Sequence, residues 1–306
     1  MSFSESSVPD LTGKIMIVTG GNSGIGKQLV AVLASKGAKV YLGARSQAKY
    51  DQALQEIHTS HPATKKSSIE FLKFDLSSAA MAKRSAEHFK SKETELHVLF
   101  DNAGVMGTPA GKLSADSYEY QWAVNVFGTF VFTYHLLPLL QRTAEKSLPG
   151  TVRIVITTSD GAKQAPKSGI PLDDPTVGSN ATRFQCYGHG KLGLILLTRQ
   201  LAQRYPDILT LGPHPGPVQS NLTRELNFPG PVKWLLNRVV FKPVEYGALT
   251  PLFAGTASIP MSKTGSYLIP LAKFETNLPH KQCYDDKFGT RVWEWNMTAM
   301  KKAGAD

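Results

Sequence analysis

Short apolar runs alternate with amphipathic stretches along this chain, and most of the runs end at a polar or glycine-rich segment. The first run, Lys14 to Thr19, stops at a glycine-rich turn over residues 20–26. Helically spaced apolar residues follow and end at Gly37, and a second apolar run leads to Arg45. This order predicts a strand, a turn, a helix and a second strand, which together make one βαβ unit.

The same alternation continues along the chain. A third apolar run ends at Asp75, a fourth at Asn102, and a fifth covers residues 152–158. A sixth run, over residues 208–213, is the last one that we interpret as a strand. Strands that alternate with helices predict an α/β fold of the Rossmann type, with a doubly wound parallel sheet between two helical layers.

Composition adds information on the number of domains and on partners. The 306 residues are 42% hydrophobic and 19% charged, without repeats or linker-like segments, so we expect a single domain over residues 1–306. The formal net charge is +10, but the lysines and arginines are scattered and form no basic stripe. We therefore expect small anionic ligands and no nucleic acid partner.

The sequence shows no sign of a membrane span, a secretory signal or a metal site. The longest apolar segment, Phe127 to Leu140, contains glycine, histidine and proline, and it predicts a buried or interface helix. The N-terminus is polar, unlike a secretory signal. The two cysteines, Cys186 and Cys283, form neither a disulfide framework nor a metal-ligand cluster, so we expect a reducing, cytoplasmic location.

The glycine-rich turn after the first strand suggests a ligand. Glycine allows backbone conformations that other residues avoid, and it lets a pyrophosphate approach the amides at a helix N-terminus. The spacing Gly20-x-x-x-Gly24-x-Gly26 departs from the common G-x-G-x-x-G pattern. A glycine turn can also be purely structural, but its place between a strand and a helix favours dinucleotide binding.

Tyr187 and Lys191 are four residues apart in the string YGHGK. On a helix this spacing brings the two side chains to one face. An ammonium favours a phenolate, so we expect the pKa of Tyr187 to lie below its ordinary value of about 10, as suits a general acid or base. The same spacing also occurs on ordinary helices as a solvated pair, and the choice depends on the residues upstream.

Six segments occur in order along the chain: TGGNSGIG from Thr19, DNAG from Asp101, Asn125, Ser159, YGHGK from Tyr187 and HPGPVQS from His214. Together they resemble the successive motifs of the short-chain dehydrogenase/reductase family, and within it the branch that includes retinol dehydrogenase-like enzymes of fungi and animals. The resemblance covers residues of about 11–295. It implies an oxidoreductase with a cofactor half over about 11–150 and a catalytic and substrate half over about 151–295.

The resemblance implies four catalytic residues. Ser159, rather than Thr158, would hydrogen-bond the substrate oxygen, and Tyr187 would exchange a proton with it as hydride passes to or from the nicotinamide. Lys191 would lower the pKa of Tyr187 and bind the nicotinamide ribose, and Asn125 would hold a water in a proton relay towards Lys191. Taken singly, Ser159 would be a loop hydroxyl and Asn125 a polar group inside a helix.

The resemblance also implies the cofactor contacts. Asp75 would hold the adenine amino group, and Asn102 would stabilise the central strand beside the cofactor. Besides Tyr187 and Lys191, the expected contacts are Gly20, Asn22, Ser23, Gly24, Ile25, Gly26, Arg45, Asp75, Leu76, Asn102, Ala103, Gly104, Pro215, Gly216, Val218 and Ser220.

Arg45 bears on the choice between NADP(H) and NAD(H). In this fold the end of the second strand meets the adenosine ribose. An acidic residue there would repel a 2′-phosphate, whereas an arginine would pair with it. Residues 38–46 contain no acidic residue, so we expect NADP(H). A solvated arginine at the start of a helix is the alternative.

Departures from the family pattern need a physical reason. Asp101 stands where asparagine is usual, and a carboxylate that faces the interior needs a hydrogen-bond donor. Gly188 and Gly190 would each cost a helix about 1 kcal/mol relative to alanine, so close approach of the cofactor or of a partner helix is expected. His189 should point away from Tyr187, and His214 is expected to be a loop residue.

Two variable segments would shape the substrate pocket. Residues 160–183 lie between Ser159 and Tyr187, and the amphipathic residues 231–241 would form a small lid. A membrane-surface helix is the alternative for the second segment. Apolar walls predict an apolar ketone, aldehyde or secondary alcohol as substrate.

We therefore predict an NADP(H)-dependent oxidoreductase with Tyr187 as general acid or base. The resemblance to the family suggests a homodimer, although some related enzymes act as monomers. One rival is a regulatory or scaffold protein that binds the cofactor without turnover, and the filled catalytic positions argue against it. A sugar-nucleotide epimerase or dehydratase is the other, and the glycine spacing argues against that.

Overall fold

The computed structural model describes residues 3–219 and 241–306. Its strands are β1 (Ile15–Thr19), β2 (Lys39–Ala44), β3 (Ile69–Lys73), β4 (Val98–Asp101), β5 (Arg153–Ile156), β6 (Leu209–Pro213), β7 (Tyr267–Ile269) and β8 (Lys273–Glu275). They form one eight-stranded sheet in the order β3-β2-β1-β4-β5-β6-β7-β8. All neighbours pair in parallel except β8, which runs antiparallel to β7.

Helices follow most of the strands. They are α1 (Gly24–Ser35), α2 (Gln47–Ser60), α3 (Ala79–Lys90), α4 (Tyr120–Glu145), α5 (Arg183–Arg204), α6 (Val244–Thr256) and α7 (Asp286–Lys302). In β1, Met16 and Val18 face one apolar core while Ile17 faces a second one. Because the sheet is buried on both faces, its strands read as continuous apolar runs. The predicted doubly wound α/β fold is confirmed.

Two features of the sheet differ from the prediction. The run over residues 208–213 is not the last strand, because β7 and β8 add a short hairpin beyond it. Each of these strands has only three residues, too few for a period-2 pattern to show. The third strand also ends at Lys73, so Asp75 lies in the loop that follows it.

The long helix α4 contains the segment from Phe127 to Leu140. It is long and apolar enough to span a membrane by length and composition, but 83% of its most apolar window is buried inside the fold, as in a core helix. Residues Ala123–Gly128 of α4 form a π-helical segment, a distortion that often marks functional sites. Asn125 lies within this segment.

Some predictions fall on residues outside the described part of the chain. These are the cofactor contact at Ser220 and residues 231–240 of the lid segment. The lid, the single domain and the homodimer stay predictions.

Candidate active site

A cleft of about 590 Å³ opens at the carboxyl ends of the parallel strands. Its walls come from the loops that follow β1 to β6. The sheet order reverses between β1 and β4, and the carboxyl ends of strands at such a switch point form the usual ligand crevice of open α/β sheets.

Most of the predicted site residues line this one cleft. They are Gly20, Asn22, Ser23, Gly24, Ile25, Arg45, Asp75, Leu76, Asn102, Ala103, Gly104, Ser159, Tyr187, Lys191, Pro215, Gly216 and Val218. Gly26 and Asn125 do not line it, because both are buried behind its wall. Gly26 packs against Gly20 and Asn102, and Asn125 hydrogen-bonds Val105, while their contacts with cofactor or water stay predictions.

The glycine-rich turn has the geometry that a phosphate-binding loop needs. Gly20 and Gly24 have positive φ angles of 64° and 53°, which other residues rarely adopt. Gly26 is a packing residue, since a Cβ there would lie 2.4 Å from the carbonyl oxygen of Gly20 and 2.6 Å from Nδ2 of Asn102. The turn can therefore sit directly against β4.

Thr19 and Asn102 join the ends of β1 and β4. The Thr19 hydroxyl accepts hydrogen bonds from the backbone amides of Asn102 and Ala103, each at 2.9 Å. Asn102 Nδ2 donates to the Thr19 carbonyl oxygen at 3.0 Å. These bonds fix the two strand ends that form the floor of the cleft.

The far end of the cleft, beside β2 and β3, carries two cations and one carboxylate. Arg45 and Lys49 are exposed and line it at the start of α2. Asp75 is the sole acidic side chain among the lining residues in the described ranges, and one of its oxygens accepts from the Ser77 amide at 2.9 Å. This end therefore favours an anionic ligand.

The other end of the cleft holds Ser159, Tyr187 and Lys191. Tyr187 and Lys191 are only 5% and 6% exposed, and the Lys191 Nζ lies 5.8 Å from the centre of the tyrosine ring. Lys191 donates to the Thr157 carbonyl oxygen at 2.8 Å, so its ammonium is anchored at the end of β5. The side chains predicted to act together are thus brought together.

Burial sets the acidities of this pair. It raises the pKa of Tyr187 to about 12, and the neighbouring Ser159 hydroxyl opposes this only in part. It also lowers the pKa of Lys191 to about 8. The expectation that Lys191 pulls the pKa of Tyr187 towards neutrality is therefore wrong here, because lost hydration of the phenolate outweighs the attraction of the ammonium. At pH 7 the phenol keeps the proton that a general acid must donate.

Ser159 and Thr158 are distinguished by their surroundings. Thr158 is buried, and its hydroxyl donates to the Gly212 carbonyl oxygen at 3.0 Å. Ser159 begins the short 3-10 turn Asp160–Gln164, where its Oγ accepts from the Gly161 amide at 3.0 Å. The Ser159 hydroxyl can still donate, and it lies beside Tyr187.

Asn125 pins the wall of the cleft. Its Oδ1 accepts from the Val105 amide at 2.8 Å, and its Nδ2 donates to the Val105 carbonyl oxygen at 2.9 Å. The structure thus gives this side chain a positioning role, and the water relay stays a prediction.

The two unusual glycines of α5 are explained by close packing. A Cβ on Gly190 would lie 3.2 Å from Nδ2 of Asn125, on the partner helix α4. A Cβ on Gly188 would lie 2.2 Å from the amide nitrogen of Ala165. Gly188 is therefore required for the close approach of α5 to Ala165, and Gly190 eases its packing against α4.

Asp101 does face the interior, and its donor is Thr133 on α4. The Thr133 hydroxyl donates to Asp101 Oδ2 at 2.8 Å, and the carboxyl is 5% exposed. Burial raises the pKa of Asp101 to about 7, against the opposing effect of this hydrogen bond.

The histidines near the site have structural surroundings. His189 does not line the cleft and is 2% exposed, and within the described part of the chain its ring has no hydrogen-bond partner. His214 Nδ1 accepts from the Gly216 amide at 3.3 Å, and burial lowers the pKa of His214 to about 4. In residues 3–219 and 241–306 no three histidine, cysteine or acidic side chains cluster as a metal site would require.

Sequence reasoning missed a group of cleft residues. They are Gly43, Ala44, Lys49, Phe74, Ser77, Val105, Met106, Thr108, Lys112, Tyr120, Val124, Thr157 and Thr158. Lys49 follows Arg45 by one helical turn and could have been found from that spacing. Lys112 and Tyr120 lie in an irregular loop and at a helix start, where no periodic pattern predicts their direction.

Comparisons with known proteins agree with this geometry. A family model described as short chain dehydrogenase matches residues 14–171. The chain is 38% identical over 308 residues to the short-chain dehydrogenase/reductase drtF of Aspergillus calidoustus, with 96% of each chain covered. It is also 38% identical to an uncharacterised oxidoreductase of Schizosaccharomyces pombe, with 94% of this chain and 85% of the relative covered.

Solved structures share the fold. An uncharacterised protein from Mycobacterium paratuberculosis gives a TM-score of 0.74 at 23% identity, with 98% of both chains covered. A Pseudomonas aeruginosa protein, RhlG in an NADP active-site complex, gives 0.65 at 27% identity, with 85% of this chain and 95% of that one covered.

Proposed function

The chain belongs to the short-chain dehydrogenase/reductase family and is an oxidoreductase, and from this premise we propose that it is specific for NADP(H) and uses Tyr187 as general acid or base. The proposed reaction moves a hydride between the nicotinamide and an apolar ketone, aldehyde or secondary alcohol. One observation carries the proposal: a single cleft holds Ser159, Tyr187 and Lys191 at one end and Arg45 at the other.

The residues present fit a dinucleotide. The positive φ angles of Gly20 and Gly24 expose backbone amides at the N-terminus of α1, where a pyrophosphate would bind. Asp75 lines the cleft, and its Oδ2 would accept a hydrogen bond from an adenine amino group. The relative RhlG, whose structure is an NADP complex, supports the same cofactor class.

The catalytic end fits proton transfer to a carbonyl oxygen. When bound, the nicotinamide supplies the hydride to the carbonyl carbon or takes it back. Ser159 would donate a hydrogen bond to the substrate oxygen, and Tyr187 would give its proton to that oxygen in reduction and recover it in oxidation. Lys191, anchored on Thr157, would stabilise the phenolate that remains and bind the nicotinamide ribose hydroxyls.

The choice of NADP(H) rests on the adenosine end. Arg45 and Lys49 lie at the N-terminus of α2, so a 2′-phosphate would meet two cations and the positive end of a helix. No carboxylate follows β2 in residues 45–50 to repel it. An apolar substrate is supported by Val105, Met106 and Pro215, which line the cleft.

Cofactor titration and turnover test this proposal. NADPH should bind more tightly than NADH by fluorescence, and Arg45→Ala should weaken NADPH binding about tenfold while changing NADH little. Tyr187→Phe should lower kcat with a carbonyl substrate by about 100-fold or more. Tyr284→Phe, at an exposed tyrosine outside the cleft, is the matched control.

Two results would contradict the proposal. The proton-transfer role fails if Tyr187→Phe turns over as fast as the parent. Tighter binding of NADH than NADPH would refute the role of Arg45. Binding of NADPH with no turnover across a broad carbonyl panel would instead favour a cofactor-binding regulatory protein.

A further inference from the structure

The segment between β4 and α4 forms a wall of the cleft and is held at both ends. Near its start, the Gly107 amide donates to Gln121 Oε1 at 3.0 Å, in addition to the two bonds between Val105 and Asn125. Near its end, the Tyr120 amide donates to the Lys112 carbonyl oxygen at 3.0 Å. The side chains on this wall are therefore presented from a fixed backbone.

Lys112 presents a positive charge on this wall. Its Nζ lies 4.0 Å from the centre of the Tyr120 ring, and both side chains line the cleft. A cation over an aromatic face is attracted by the ring, so Tyr120 favours this position of the exposed Lys112 ammonium.

No nearby carboxylate neutralises Lys112. Within residues 3–219 and 241–306 it forms no ion pair. The two acids of its own segment are engaged elsewhere: Asp116 accepts from the Ala79 amide at 2.9 Å, and Glu119 accepts from the Trp122 amide at 2.8 Å. The charge of Lys112 is thus left for a ligand.

The position along α4 shows which part of a dinucleotide this wall would meet. Tyr120 and Val124 both line the cleft, and one turn further a Cβ on Gly128 would lie 2.6 Å from the Leu76 carbonyl oxygen. Leu76 follows Asp75 beyond the end of β3. Tyr120 therefore lies about two helical turns from the adenosine side, towards the middle of the cleft, where the pyrophosphate of a dinucleotide would lie.

We propose that Lys112, supported by Tyr120, is a phosphate subsite for the pyrophosphate of the bound dinucleotide, facing the backbone amides of the glycine-rich turn from the opposite wall. This rests on the proposed function, since it requires that the cleft binds a dinucleotide. The subsite binds the pyrophosphate, which NADPH and NADH share, so it increases the affinity for both without changing the preference between them.

Equilibrium binding of NADPH, NADH and ADP-ribose tests the subsite. ADP-ribose carries the pyrophosphate but neither the nicotinamide nor the 2′-phosphate. Lys112→Met should weaken all three by the same factor, about tenfold, whereas Arg45→Ala should affect NADPH alone. The loss of affinity caused by Lys112→Met should be smaller at high salt. Tyr120→Leu should cause part of the same loss, whereas Tyr120→Phe should not, because phenylalanine keeps the aromatic ring. Lys92→Met, at an exposed lysine outside the cleft, is the matched control.

The outcomes separate the two proposals. If the parent protein binds the ligands tightly and Lys112→Met binds them equally tightly, the subsite is refuted while the proposed function stands. A loss confined to NADPH, or a change in the KM of the carbonyl substrate alone, would also overturn it. A parent protein that binds none of the three would refute both.

Discussion

At the scale of single residues, burial decides the chemistry of this site more than neighbouring charges do. Tyr187 keeps its proton because its phenolate would lose hydration, although Lys191 lies close by. Asp101, at the end of β4, follows the same rule, because burial raises its pKa to about 7. Both effects depend on how deeply a side chain sits, which a sequence does not show.

Asp101 makes a prediction about stability and pH. Because the pKa of Asp101 rises from its ordinary value of 3.8 to about 7, the folded state binds more protons than the unfolded state between these values. The free energy of unfolding should therefore fall as pH rises through this range, and the penalty should be complete above it. Asp101→Asn should remove this fall and stabilise the protein at pH 8 by roughly 2–4 kcal/mol, while its amide oxygen still accepts from Thr133.

Urea unfolding at several pH values measures this effect. Thr133→Val, which removes the donor to Asp101, should deepen the loss of stability towards pH 8. If the free energy of unfolding changed with pH in the same way for the parent and for Asp101→Asn, the Asp101 carboxyl would not titrate as described.

At the scale of elements, side chains of α4 hold the cleft wall in place by hydrogen bonds. Asn125 holds Val105, and Gln121, one turn earlier, holds Gly107 and also donates to the Arg183 carbonyl oxygen at 2.8 Å. Gln121 thereby joins the cleft wall, α4 and the start of α5. The cleft wall, α4 and the start of α5 therefore meet within one helical turn of Tyr187.

Gln121 should matter for stability and for cofactor binding. Gln121→Leu would leave the buried Gly107 amide without its partner and remove the additional bond to the Arg183 carbonyl, so the free energy of unfolding should drop by about 1–3 kcal/mol. The Kd for NADPH should rise because the wall that carries Lys112 is loosened. Gln55→Leu, at an exposed position of α2, controls for the change in side chain. Unchanged unfolding and NADPH binding would show that Gln121 is not needed for this junction.

The sequence predicted the elements that are long or chemically distinctive. The six longer strands, the glycine turn and the Tyr187–Lys191 face followed from apolar runs, from glycine spacing and from a resemblance carried by several motifs. The β7–β8 hairpin was missed because its strands are three residues long and its loop residues Leu271 and Ala272 take positive φ angles that their types disfavour. Thr133, the donor to Asp101, lies 32 residues away on a helix, a contact that only the folded chain defines.

At the scale of the whole molecule, positive charge and the cleft at the carboxyl ends of the strands act together. The chain carries a formal net charge of +10, and Arg45, Lys49 and Lys112 place part of it around the cleft. We therefore expect the charge to attract an anionic ligand from a distance.

NADPH should consequently stabilise the fold in a salt-dependent way. At a free concentration of 100 times its Kd, the free energy of unfolding should rise by about 2.7 kcal/mol, which a thermal shift assay detects. Raising the salt from about 50 to 500 mM should reduce the shift for NADPH more than that for NADH, because NADPH carries the additional phosphate charge. If salt reduced the shifts for NADPH and NADH equally, the proposal that the adenosine end of the cleft binds the 2′-phosphate would be contradicted.

The two outermost strands of the sheet have a consequence for behaviour in concentrated solution. One border, β3, presents Glu70 and Lys73 to solvent, and the other, β8, is three residues long and begins with exposed Lys273. Brief, charged borders of this kind are poor templates for a strand from another copy. We therefore expect edge-to-edge polymerisation to be disfavoured, so that concentrated preparations remain free of cross-β fibrils.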